Sequence, residues 1–156
     1  MTTEMESGDG ERGSQVQVSG RDRLRAARDA VEEALLVPAA DTTTWHTTMS
    51  AAVQSLETAF RRHRDVSEAP DGPLHRAETL RPQLARAART QRQEHEEILR
   101  DVASILATLA GSGVAPADPD SVRWYVGRLQ ESIRRHIARG SDLLYEAFVR
   151  DEGGEG

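Results

Sequence analysis

The chain has 156 residues, no cysteine, 4% aromatics and a net charge of −6. That length suits one domain with a real core, and the missing thiols exclude disulfides and thiolate chemistry. No apolar run approaches membrane-spanning length, and the opening "MTTEMESGDGERGSQ" does not read as a signal peptide, so the expected setting is cytoplasmic with no membrane partner.

The charge is uneven. Residues 1–20 carry four acids and one arginine, and residues 150–156 carry three acids and one arginine, which leaves the body nearly neutral. A neutral body gives no electrostatic case for nucleic acid. All 20 basic residues are arginine, which fits GC-rich codon usage, and the wealth of Leu, Ala, Arg and Glu favours helices over strands. Residues 1–19 are rich in Gly, Ser and Glu and lack apolar periodicity, so they are expected to form a disordered acidic tail. Residues 20–150 are the expected folded domain, and residues 151–156 a flexible acidic tail.

Four helices are predicted in chain order. The first covers about 21–37, with Leu24, Val31 and Leu35 on one stripe, and stops before Pro38. The second starts near a cap candidate, Asp41. It carries Trp45, Met49, Ala52, Leu56, Phe60 and His63 at steps of three and four, and ends before the breaker "APDGP". A connector of a helical turn or two follows over 74–80. Pro82 suits the first turn of the third helix, whose stripe is Leu84, Ala88, Gln91, His95, Ile98, Val102, Ile105 and Leu109. The loop "GSGVAPADPD" leads to a fourth helix from near Asp120 to about Arg150. Its stripe is Val122, Val126, Leu129, Ile133, His136, Gly140, Leu143 and Ala147. Alternating steps of three and four over so many turns predict an all-α fold, an antiparallel up-down four-helix bundle.

"FRRHRDVSE" at 60–68 and "IRRHIARGS" at 133–141 repeat an apolar–Arg–Arg–His unit 73 residues apart, each with a leucine seven before the histidine. Shifting the first helix by one residue more places Leu24 on Ile98, Val31 on Ile105, Leu35 on Leu109 and Arg21 on His95. The bundle is therefore read as two related helical hairpins. His95 and His136 are equidistant from the middle of the 111–119 loop, so they should lie at one level. His63 pairs in the same way with Arg21. Three histidines thus fall on inward stripes of three helices and should converge, an arrangement in which imidazoles can meet on one metal ion. The alternative is three buried core histidines bonded to Gln91, Glu94 or backbone. His46 lies too far along its helix to join them. His46 and His75 are expected at the surface, and Trp45, Trp124 and Tyr125 in core packing near the helix starts.

The order of "LETAFRRH" with His63, "QEHEEIL" with His95 and "LQESIRRH" with His136 resembles the hemerythrin-like, or HHE cation-binding, domain over about 21–150. "RGSDLLYEAF" is similar to the tail of small arginine-rich members from high-GC bacteria. The resemblance implies an antiparallel four-helix bundle around two oxygen-bridged irons, with a histidine early in the first helix, H-x-x-x-E late in the second, a histidine in "EH" in the third, and H-x-x-x-E or H-x-x-x-x-D in the fourth. This chain departs from it. Arg21 replaces the first histidine, Ser67 and Gly140 stand at the carboxylate positions, and Leu99 stands where some members carry a further histidine. The remaining candidate ligands are His63, Glu68, His95 and His136. They lack the bridging carboxylates a di-iron centre needs, so a single ion, iron or another divalent cation, is the expected cofactor, or none.

No nucleophilic triad, glycine-rich phosphate loop, paired catalytic carboxylates or zinc signature is present, so no enzyme is expected. Two functions follow as expectations: a hemerythrin-like protein that binds or senses iron, oxygen or another gas, or a metal-free helical interaction module with a protein partner or a homodimer as its occupant.

Overall fold

The computed structural model describes residues 8–111 and 118–150, with side chains from Gly20 onward. The described residues are all-α, without a strand. Among the described residues there are five α-helices: α1 (Gly8–Leu36), α2 (Thr42–Ser67), α3 (Pro73–Leu80), α4 (Ala85–Leu109) and α5 (Pro119–Phe148). The connector is a true two-turn helix, α3. The turn at Pro82–Leu84 is 3-10 rather than α, so α4 proper begins three residues after Pro82. The backbone of α1 begins well before the expected start near Arg21. Of the two expected acidic tails, residues 1–7 and 151–156 lie outside the described residues.

The helix ends follow local chemistry. Asp41 caps α2, its carboxylate accepting from the Thr44 N–H at 3.2 Å and from the Thr44 hydroxyl at 2.6 Å. Asp118 does the same for α5, accepting from the N–H and hydroxyl of Ser121, with Pro119 in the first turn. Gly72 starts α3 where the backbone doubles back. A Cβ there would lie 2.6 Å from the Val66 carbonyl oxygen, so only glycine fits. Gly111 follows α4 with φ of 72°, the left-handed turn that favours glycine.

Packing is pairwise. α1 lies along α2, α2 along α4 and α4 along α5, while short α3 fills the space against α4 and α5. The main core joins α1, α2, α4 and α5. Leu24, Leu56, Phe60, Ile98, Val102, Leu129 and Ile133 are all buried within it, as their stripes predict. A smaller cluster of Leu74, Ala77, Ala88, Leu143 and Ala147 lies beyond the histidines. Gln130 is also buried and ties α5 to α1, its amide donating to the Arg28 carbonyl at 3.0 Å.

Two aromatic expectations are corrected. Trp45 is buried in the core as expected, with Arg123 over its ring at 5.6 Å. Trp124 and Tyr125 are more than half exposed and pack edge-to-face on each other, with Arg128 over Trp124. They occupy the outward face of α5, between the buried positions Val122 and Val126, and stabilise the surface rather than the core. His75 is exposed, as expected, whereas His46 is half-buried against Trp45. Among the described residues no helix is long and apolar enough to cross a membrane.

The buried stripe of α4 gives a direct test. Replacing Ile98, 3% exposed, with alanine is expected to cost about 2–5 kcal/mol. An unchanged denaturation midpoint would show that this face of α4 is not against the core.

Candidate metal centre

His63 comes from the last turns of α2, His95 from the middle of α4 and His136 from the second half of α5. Each stands three residues from an apolar residue of the main core: Phe60 precedes His63 and Ile133 precedes His136, while Ile98 follows His95. The same stripe that buries the apolar residue therefore carries the imidazole inward. The three rings form a polar layer between the two apolar clusters. Their centroids are 5.2 Å apart for His63 and His95, 5.3 Å for His63 and His136, and 4.6 Å for His95 and His136. One nitrogen from each lies within 4.8 Å of the others. His95 and His136 are fully buried, and His63 is partly so. Phe60 underlies the layer and touches all three rings, with centroid distances of 5.4, 5.9 and 5.7 Å to His63, His95 and His136.

The two nitrogens of each ring have different surroundings. The Nε2 atoms of His63 and His136 face each other at 3.2 Å. Nε2 of His95 is buried with no hydrogen-bond partner. On the far side, Nδ1 of His95 is 3.1 Å from Oε2 of Glu68, and Nδ1 of His136 is 3.4 Å from Oε2 of Glu94. The second contact is longer and does not close a hydrogen bond. Arg139 holds the Glu94 carboxylate through a forked pair from α5 to α4. Glu68 owes its position to the end of α2. As the C-cap residue it leaves the helix axis and swings its carboxylate towards α4.

Burial keeps all three rings neutral. His63 is pushed down to about 4 by desolvation, then by the neighbouring His136 and Arg21. His95 is pushed down to about 3 by desolvation, with His136 and His63 adding to it. His136 is lowered by desolvation, against the pull of Glu94. Glu68 is raised by desolvation and by Glu96. Neutral imidazole is the form that binds a metal ion.

Of the sequence candidates, the structure brings His63, His95 and His136 to one point. Glu68 reaches the site too, but on the outer nitrogen of His95 rather than among the converging atoms. Arg21 does not enter the layer. It is exposed and lines a cavity beside it, together with Ser67 and Gly140. Gln91 bonds the backbone carbonyl of His136 at 3.3 Å rather than an imidazole. Sequence reasoning missed Phe60 as the common floor, although its place three before His63 was the available signal. It also missed Arg139 as the anchor of Glu94, a pairing across helices that no local spacing reveals.

A metal pair and a single ion make different demands on these residues. A bridged pair needs carboxylates between the ions, and both carboxylates here, Glu68 and Glu94, sit on the outer nitrogens. A single ion fits better. Two imidazole nitrogens on one tetrahedral zinc, at about 2.0–2.1 Å each, lie roughly 3.3 Å apart, close to the 3.2 Å between Nε2 of His63 and His136. The buried, unpaired Nε2 of His95 supplies a third donor. No protein-family model matches the chain, no curated protein matches it, and no solved structure matches it.

Proposed function

We propose that the protein is an antiparallel four-helix bundle that holds one divalent cation on Nε2 of His63, His95 and His136, as a reduced relative of the hemerythrin-like cation-binding domains. The observation that carries this reading is the set of three neutral imidazoles from three helices, with carboxylates on the outer nitrogens of two of them. A carboxylate on Nδ1 fixes the tautomer that leaves Nε2 free to bind, and it raises the basicity of the ligand. Glu68 thus orients His95 and is not itself a ligand, and Glu94 offers Nδ1 of His136 the same kind of acceptor at a longer reach. Bound there, a divalent cation supplies a Lewis-acidic centre with a coordination position beyond the three histidines. Iron, zinc and copper all suit imidazole. The likeness to the hemerythrin-like pattern is supported by one further point. Arg21, Ser67 and Gly140, three of the positions where that pattern puts ligands and this chain does not, line a single cavity beside the histidines. The role is binding or sensing rather than catalysis.

Protein purified without chelator is expected to contain at most one metal ion per chain by elemental analysis, without the charge-transfer absorption of an oxygen-bridged iron pair. Added zinc should raise the melting temperature of the natural protein, by about 2.7 kcal/mol of stability at a hundredfold excess over Kd, and should not do so in His95→Ala. Two irons per chain, or equal metal content in His95→Ala, would overturn the reading. Glutamates at Ser67 and Gly140 would not simply restore an iron pair, because a Cβ on Gly140 would lie 2.9 Å from Oε1 of the buried Gln91.

One observation favours a metal-free interaction module instead. Nε2 of His63 and of His136 can share a proton directly at 3.2 Å, which satisfies both without an ion. A melting temperature insensitive to both zinc and chelator would decide for that reading.

A further inference from the structure

The cavity beside the histidines measures about 280 Å³ and lies between α1, the end of α2 and α5. That is just under the size of pockets that enclose drug-sized ligands. Its chemistry is one-sided. Arg21, Arg25 and Arg28 of α1, spaced to share one helix face, line it. None of the three makes an ion pair with a described residue, and Nε of Arg28 is buried without a hydrogen-bond partner. No carboxylate lines the cavity among the described residues, and Glu68 and Glu94, which contact Nδ1 of His95 and His136, are not part of its wall. The remaining wall is largely apolar, built from Leu24, Leu74, Ile137 and Leu144. A basic rim of unpaired guanidiniums over an apolar wall is complementary to an anion with a hydrocarbon body. Guanidinium matches a carboxylate in a forked pair, and a buried unpaired donor gains most from a charged acceptor.

We propose that this cavity binds a small organic monocarboxylate, its carboxylate held by Arg25 and Arg28 and its hydrocarbon body lying on Leu24, Leu74, Ile137 and Leu144. Arg21 at the mouth adds attraction on approach. Because α1 contributes no histidine, the volume on its side of the rings is given to a ligand rather than to a second ion. The cavity reaches His63 and His136, so a bound carboxylate would lie beside the three-histidine layer. The proposal stands on the cavity lining alone and does not need a metal.

The test is isothermal titration calorimetry of chelator-treated protein with octanoate, acetate and octylammonium. Octanoate is expected to bind saturably at one site per chain and more tightly than acetate, with no binding of octylammonium. The Arg25→Gln/Arg28→Gln variant should weaken octanoate binding by about tenfold or more, the value of a charge-assisted pair. Leu144→Trp, which fills the cavity, should abolish it. Circular dichroism checks that both variants fold, and if one does not, the other decides. The proposal is overturned if octanoate shows no saturable binding up to about 10 mM, the affinity a ligand of its size reaches at ordinary efficiency. It is also overturned if acetate or octylammonium binds equally well, or if a folded variant binds octanoate as tightly as the natural protein. Failure here would leave the zinc-dependent melting shift unaffected, so the two readings fall separately.

Discussion

Phe60→Ala is expected to cost about 3–5 kcal/mol of stability and to disorder the histidine layer with it. Phe60 is fully buried and lies under all three imidazoles while also belonging to the main core. Truncation removes apolar contact that the surrounding helices can only partly recover, and opens a void beneath polar rings that depend on fixed positions. The effect should therefore appear twice: as a lower denaturation midpoint, and as a loss of zinc-induced stabilisation larger than the stability loss explains. Phe60→Leu keeps most of the volume and should recover most of the stability but less of the zinc response, because a branched aliphatic chain cannot contact three rings at once. If Phe60→Ala melts like the natural protein, the packing of α2 against α4 and α5 at this level is wrong.

The second large effect is acid sensitivity of the metal-free protein. An unfolded histidine titrates near 6.5, while folded His63 and His95 titrate near 4 and 3, with His136 also lowered. Between these values the unfolded chain binds protons that the folded chain refuses, so stability falls as pH falls from about 6.5 towards about 3, and is level above 6.5. At about 1.4 kcal/mol per pKa unit, two such imidazoles cost on the order of 5 kcal/mol by pH 4.5. Glu68 acts in the opposite sense over the lower part of this range. Its raised folded pKa favours the folded state at low pH, but it is a single, partly exposed group against three buried rings. Chemical denaturation at pH 7.5, 6.0 and 4.5 should show the drop, and His63→Gln should flatten part of it. Equal stability at the three pH values would mean that the rings are hydrated rather than buried.

Much of this was legible in the chain. The stripes of α4 and α5 alternate cleanly because both helices press one face on a core for their whole length, and a period of 3.6 writes that face into the sequence. The level of His95 and His136 followed from their equal distance to the loop, and their rings are 4.6 Å apart. The helix stop at "APDGP" and the cap at Asp41 are local events, set by backbone chemistry within a few residues, whereas the cap of α5 falls on Asp118, just before the start expected near Asp120.

What the sequence determined by itself was therefore helical character, the inward faces and the three histidines on them, all properties of residues three or four apart on one helix. Only the tertiary structure decided what each histidine meets. Glu68 as ligand or as orienting base depends on how the chain leaves α2, and Glu94 depends on Arg139 reaching across from another helix. Trp124 and Tyr125 read as core aromatics because apolar bulk near a helix start usually packs inward, yet α5 already buries Val122 and Val126 there and turns both rings outward. The cavity lined by Arg21, Arg25 and Arg28 is likewise absent from any single stretch. It is the space left between α1 and α5, and such space is fixed by how helices distant in sequence pack, not by the pattern on any one of them.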